Sequence, residues 1–214
     1  MRRNAVAVAL VLALAAAILV TRADAGAAGG PFGRNFLGDW ARTSKFATTR
    51  GSVLVIDALL AKERVAVFRR DKPFVDVSLA AEFRIERVGK AHQAFGLVFG
   101  STDSQTYYAF EIGREEMRVV RVEPGKEPVA LVARGIRDPA GRWATARLKL
   151  EGSLFRGYFG RQVLEFRSIP GLQAGWVGAY AHNGRVSVRD LRFGGKPSRL
   201  SKAWRIVAAE PDEK

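Results

Sequence analysis

In the stretch TDSQTYYAFEI, residues 102–112, two tyrosines stand side by side, and neighbours in a β-strand point to opposite faces. Tyr108, Phe110 and Ile112 form a uniformly apolar set, the expected core side. Tyr107, Ala109 and Glu111 then share the other side: an aromatic ring, a small residue and a carboxylate. Such a trio can recognise a sugar, the ring stacking on the apolar face of a pyranose while the carboxylate accepts from its hydroxyls. The competing role for Tyr107 is a surface aromatic that steadies the neighbouring strand by about 0.2–1 kcal/mol.

The stretch GWVGAYAHNG repeats the arrangement. Val177, Ala179 and Ala181 are the natural core set, which turns Trp176, Tyr180 and His182 to the opposite face, and Gly178 leaves a gap where a ligand ring could lie. Partial burial of each aromatic would contribute about 1–3 kcal/mol against an association cost of roughly 4–15 kcal/mol. Weak binding, in the ~mM to μM range, is expected. Two alternatives compete: the second sheet or the tail, through Trp204, covers this face, and His182, beside Asn183-Gly184, is a hairpin-turn residue.

Other chemistry finds little support. His92 and His182 are the only histidines, far apart, and neither has the i, i+4 partner of a helical zinc site. With no cysteine there is no thiolate metal site, disulfide framework or lipid-attachment thiol. No cofactor is expected; a calcium ion could use the loop Thr102-Asp103-Ser104 with a second carboxylate, but one Asp in a polar loop reads more simply as a solvated turn. There is no Gly-rich phosphate loop or serine nucleophile elbow.

The elements that must position these residues alternate with period 2. Leu79, Ala81, Phe83 and Ile85 oppose Glu82, Arg84 and Glu86, and Ala144, Ala146, Leu148 and Leu150 oppose Thr145, Arg147 and Lys149. Further strands are expected near 52–58, 64–69, 94–100, 106–112, 117–122, 129–134, 154–159, 162–166, 174–181 and 186–193. Turn chemistry such as GREE, EPGKEP, DPAG and HNG separates them. This spacing predicts an all-β sandwich with Trp40, Trp143 and the phenylalanines filling between two sheets.

At the N-terminus Arg2 and Arg3 precede an apolar run from Ala5 to Val20, and Ala23-Asp24-Ala25 fits a signal-peptidase site. The expected organisation is a signal peptide at 1–25, a flexible spacer at 26–35, one domain at 36–194 and a tail at 195–214 that ends frayed. The protein is then exported, to the periplasm or the medium. The run is shorter than the ~20 residues that comfortably span a bilayer, so cleavage is favoured over a membrane anchor and no stable insertion is expected. The formal charge is +14, and only three Arg and one Asp fall in the first 25 residues. Such a surplus suits anionic envelope polymers as partners, but the arginines are scattered through the strands, as solubility alone would require. Export disfavours nucleic acid.

The segments FVDVSLAAEFRIE, FGLVFGSTDSQTYYAFEI, GRWATARLKLEGSLFRGYFGRQVL and GWVGAYAHNGRVSVRDLRF together resemble the concanavalin A-like lectin/glucanase superfamily, and within it the 3-keto-disaccharide hydrolase domain and its laminin G-like relatives. The likeness covers roughly residues 36–194. It implies a jelly-roll sandwich of two antiparallel sheets that meets polysaccharide or oligosaccharide on its concave sheet. The residue pattern, not the resemblance, offers Tyr107, Glu111, Trp176, Tyr180 and His182 as the expected contacts, with Arg84 and Arg147 favouring acidic or hydroxyl-rich ligands.

Glycoside cleavage in such a fold needs carboxylates flanking the bond, about 5–5.5 Å apart for retention. The superfamily's glucanase signature is Glu-x-Asp-x-x-Glu. In EIGREE, Glu111 and Glu116 keep its spacing, but Gly113 stands in for the Asp and Gly113-Arg114 reads as a turn. A keto-sugar hydrolase needs only a base and a charge stabiliser. Glu111 with His182 or Arg84 could serve. Three readings stay open: a glycan-binding module, a glycoside hydrolase acting through Glu111, and a basic, non-catalytic envelope or adhesion protein.

Overall fold

The computed structural model describes residues 40–197, except 62, 90–92, 138 and 140. The segments expected to be a signal peptide and a spacer, together with His92 and Trp204, lie outside the described residues. In chain order come β1 (Trp40–Arg42), β2 (Ala47–Arg50), β3 (Val53–Asp57), α1 (Ala58–Ala61), β4 (Arg64–Val88), β5 (Ala94–Ser101) and β6 (Tyr107–Ile112). They are followed by β7 (Glu116–Val122), β8 (Val129–Gly135), β9 (Ala144–Glu151), β10 (Leu154–Phe159), β11 (Gln162–Arg167), β12 (Gly175–His182) and β13 (Gly184–Pro197). The one-turn helix α1 is capped by Asp57, whose Oδ1 accepts from the Leu60 N–H at 3.2 Å.

Strand β4 organises the molecule. Alternation predicts two strands near 64–69 and 79–85, yet the chain runs through as one strand of 25 residues. Its first part pairs with β1 and β12 and its second with β13 and β9, all antiparallel. The strand therefore belongs to two layers. The front sheet runs β1-β4-β12-β5-β6-β7-β8 and the back sheet β2-β3-β13-β4-β9-β10-β11. Pro73, which has no N–H to give, sits where the β12 ladder skips from Arg69 to Phe74, so no ladder bond is lost to it. The last strand continues to Pro197, three residues into the segment read as tail.

Inward-facing residues of both layers fuse into one core that includes Leu79, Phe83, Phe95, Leu97, Phe110 and Phe155. Its rings interlock: Phe83 and Phe95 have centroids 4.8 Å apart, and Phe155 meets Phe99 and Phe110 at 5.6 Å each. Tyr108, as expected, faces this core, and its hydroxyl donates to the Pro170 carbonyl. Trp40 joins it too.

Trp143 does not. It lies half-buried outside the back sheet, with the guanidinium groups of Arg84 and Arg189 at 5.0 and 4.1 Å from its ring centre. Arg84 alternates with the core residues Phe83 and Ile85, so its side chain must leave by the solvent face, and the indole lies there with it.

The second departure concerns the front sheet. Half-buried strands are expected throughout, but β5 and β6 are buried along their whole length and β12 at all but His182. Their outward residues, among them Val98, Tyr107, Ala109, Trp176 and Tyr180, join Phe68 of β4 in a second apolar cluster.

Candidate functional site

Register builds the outer face of the front sheet. Tyr180 on β12 lies opposite Gly96 on β5, Gly96 opposite Glu111 on β6, and Glu111 opposite Arg118 on β7. Because Gly96 has no side chain, the Tyr180 phenol can cross β5, and its hydroxyl donates to Glu111 Oε1 at 2.7 Å. From the other side Arg118 Nε donates to Glu111 Oε2 at 2.7 Å, and its Nη1 reaches Glu116 at 3.3 Å. Glu111 is 1 % exposed. A carboxylate so deep is tolerated only with charge-assisted partners on its oxygens, which this row supplies.

Aromatic side chains lie beside the row. Phe68 has its ring centre 5.5 Å from Tyr107 and 6.4 Å from Trp176, and Tyr107 and Tyr180 are 6.1 Å apart. Strands β4 and β6 are separated by β12 and β5, a span of about 14 Å at ordinary strand spacing. Contact between Phe68 and Tyr107 thus requires the sheet to curl around this face. Arg64, at the start of β4, shows the same closure: its Nη2 meets Glu127 of the β7–β8 loop at 3.2 Å.

Curling leaves a groove of about 580 Å3 at one end of the face, bordered by Thr43, Arg64, Gln105, Tyr107, Glu123 and Lys126 among others. Tyr107 is 4 % exposed, and its hydroxyl has no hydrogen-bond partner among the described residues. Arg64 Nε is also without an acceptor there. Burial raises the Tyr107 hydroxyl well above its ordinary pKa, with nearby Arg64 opposing and Glu111 adding to the effect. Tyr180 is pushed well above its ordinary value, first by burial and then by the charge of Glu111. Both phenols stay neutral at physiological pH.

The structure thus brings Tyr107, Glu111, Trp176 and Tyr180 together on one face, with half-buried His182 at its margin beside Arg64 in the ladder. It buries the four. Only Tyr107 borders the groove; Glu111 and Tyr180 hold each other, and Trp176 is 9 % exposed. Gly178 leaves no gap for a ligand ring. Its register partner is Phe68, whose ring lies between Trp176 and Tyr107, and a Cβ at Gly178 would fall 1.8 Å from the Val67 carbonyl oxygen. The glycine serves backbone approach.

Arg84 and Arg147 are a correction. Both lie outside the back sheet, Arg84 over Trp143 and Arg147 over Tyr158 at 5.7 Å, where they cannot meet a ligand of the front face. Gly113–Glu115 is a hairpin turn, closed by the Gly113 N–H on the Glu116 carbonyl at 2.8 Å, so EIGREE is not one catalytic strand. Glu111 and Glu116 share Arg118 across that hairpin.

Asp103 turns its carboxylate inward, Oδ1 accepting from the Gln105 and Thr106 N–H groups at 2.9 and 2.6 Å and Oδ2 from the Thr106 hydroxyl at 3.1 Å. Among the described residues no group of three metal-ligating side chains is assembled. Reasoning from sequence passed over Arg64, Phe68 and Arg118. The signal was present in β5, β6 and β12, which read as nearly unbroken apolar runs, the mark of strands covered on both faces.

No protein-family model matches this sequence, and no curated protein matches it significantly. Solved structures do share its fold. The carbohydrate binding module CBM66 from Bacillus subtilis superposes with a TM-score of 0.60 at 11 % identity, over 73 % of this chain and 96 % of the module. The carbohydrate recognition domain of Emp46p, solved as a point mutant, gives 0.52 at 11 % identity, over 75 % and 90 % of the two chains. A Parabacteroides distasonis protein, provisionally described as a glycosyl hydrolase, gives 0.52 at 9 %, over 74 % and 89 %. At these identities the likeness is one of fold: an all-β, concanavalin A-like jelly-roll sandwich.

Proposed function

We propose that this protein is an exported carbohydrate-binding jelly roll whose ligand enters the groove beside Tyr107. One observation carries the reading: at this groove a mostly buried aromatic ring meets hydrogen-bonding groups that lack partners among the described residues, the Tyr107 hydroxyl and Arg64 Nε, with Gln105, Glu123 and Lys126 around them. Its volume, about 580 Å3, falls among sites for small ligands. Charges of both signs favour a neutral, hydroxyl-rich ligand over a polyanion. Glu111, Tyr180 and Trp176 act beneath the groove by holding the curled sheet in shape. The carbohydrate-binding neighbours of like fold agree with this reading without establishing it.

Cleavage, including the 3-keto-disaccharide chemistry that the sequence resemblance implies, would require Glu111 to offer an oxygen to substrate. Both of its oxygens accept hydrogen bonds from Arg118 and Tyr180. Binding therefore ranks above hydrolysis. An adhesive role rests on the surplus of +14, and salt separates it from a specific groove.

The test is a glycan-array screen at low and raised salt with the wild type and Arg64→Met. Salt-resistant retention on one glycan class, weakened about 10- to 100-fold by removal of a charged donor, is the expected result. Retention that vanishes with salt, or that Arg64→Met leaves unchanged, overturns the proposal.

A further inference from the structure

A second cavity, of about 660 Å3, lies at the other end of the front sheet. The turn between β6 and β7 and the end of β8 enclose it, with Gln93, Arg114, Glu115, Glu116, Arg134 and Gly135 on its walls. Its frame is fixed by hydrogen bonds to the backbone: the Ile136 N–H donates to the Glu115 carbonyl at 2.7 Å, and Arg134 Nη1 donates to the Val163 carbonyl of β11, tying the front sheet to the back.

Gln93 stands out on this wall. It is 4 % exposed, and neither its amide oxygen nor its amide nitrogen has a hydrogen-bond partner among the described residues. Buried side-chain amides nearly always have partners, because stripping water from both a donor and an acceptor is costly. A residue that keeps such a group at a cavity wall suits a ligand that supplies what the protein does not.

We infer that this cavity is a second ligand subsite, in which Gln93 binds a pair of neighbouring hydroxyls of a neutral sugar. An amide sets a donor beside an acceptor, and adjacent sugar hydroxyls match both at once, one accepting from the N–H and the other donating to the carbonyl oxygen. Glu115 and Glu116 can accept further hydroxyl protons and Arg114 and Arg134 can donate, while the two charge signs offset each other and give no preference for an ion. No aromatic ring lines the cavity among the described residues, so binding rests on hydrogen bonds and is weak, on the order of mM. The choice of a sugar rests on the carbohydrate reading above; the site itself rests on Gln93.

The test is a titration of the 15N-labelled protein with the methyl glycosides of glucose, galactose, mannose and xylose, to about 100 mM, well past an affinity of ~mM. The side-chain NH2 resonances of Gln93 are followed, with N-acetylglycine N-methylamide as a competing probe. A saturable shift of these resonances and of the neighbouring backbone amides is expected with at least one glycoside; the backbone response should be lost in Gln93→Met, a near-isosteric apolar replacement that keeps the fold, and both should be retained in Arg64→Met. No shift with any glycoside, saturation by the amide probe alone, or an unchanged glycoside response at neighbouring backbone amides in Gln93→Met would overturn the inference. Polysaccharide retention by the Arg64 groove is measured in parallel. Retention without a Gln93 response defeats this subsite alone, and a Gln93 response without retention defeats the groove alone.

Discussion

Two substitutions remove the same atom from neighbouring rings and should differ sharply. In Tyr180→Phe the missing hydroxyl is the 2.7 Å donor to Glu111 Oε1, and Glu111 is too deep for water to take its place. A hydrogen bond to a charged group contributes about 1.5–3 kcal/mol, and an acceptor stranded out of water costs a similar amount. At roughly 2–4 °C per kcal/mol for a domain of this size, the melting temperature should fall by about 3–12 °C. In Tyr107→Phe the hydroxyl borders the groove and gives up no hydrogen bond, so stability should stay within about 0.5 kcal/mol of wild type. Urea unfolding of both variants, with m-values compared to confirm that the unfolded states match, measures the difference. In a Glu111→Leu background the Tyr180→Phe penalty should shrink, because the acceptor has gone. Equal melting of the two single variants, or a Tyr180→Phe variant as stable as wild type, would refute the buried row.

Three further outcomes concern the front sheet and its surroundings. Gly96→Ala should destabilise severely, since its Cβ would lie 1.9 Å from the Phe110 carbonyl oxygen on the paired strand; a variant that melts with wild type would contradict the close approach. Gln93→Met should raise stability by about 1–3 kcal/mol by removing two unpartnered amide atoms, readable as a higher urea midpoint. Tyr107, Tyr108 and Tyr180, three of the four tyrosines, are held above the ordinary tyrosine pKa, chiefly by burial. Their contribution to stability is complete below about pH 10, the unfolded value, and is lost as pH rises toward the folded values. Phenolate absorbance at high pH should therefore lag behind four tyrosines' worth until alkaline unfolding releases the rest; full ionisation of the folded protein near pH 10 would contradict the burial.

Alternation along β9, and Tyr108 with Phe110 and Ile112 on one side of β6, were legible because a strand covered on one face writes its burial at every second residue. The front sheet was harder. Its curl sets Phe68 against Tyr107 across two intervening strands, and no local pattern carries a contact of that kind. The gathering of Tyr107, Glu111, Trp176 and Tyr180 on one face could be read from parity alone. Their burial could not, because it depends on how far the sheet bends. Arg118 is invisible as a partner of Glu111 until the hairpin register is known, and Arg84 and Arg147 fall in the other layer because parity within a strand does not say which sheet the strand joins. Residue type alone assigns Trp143 to the core, but two arginines hold it outside.

Strand β4 belongs to both layers, pairing with β1 and β12 at one end and with β13 and β9 at the other. Neither layer can therefore assemble as an autonomous unit, and most of the pairings that complete β4 come from residues far along the chain. Folding must wait for those distant segments to find a common template, which places this protein among slow folders governed by loop closure. The same sharing makes the native state hard to dismantle piecemeal. A protease that opened the crossing near Pro73 would cut the ladder common to both layers, so limited digestion there should release no stable half-molecule but lead directly to global unfolding.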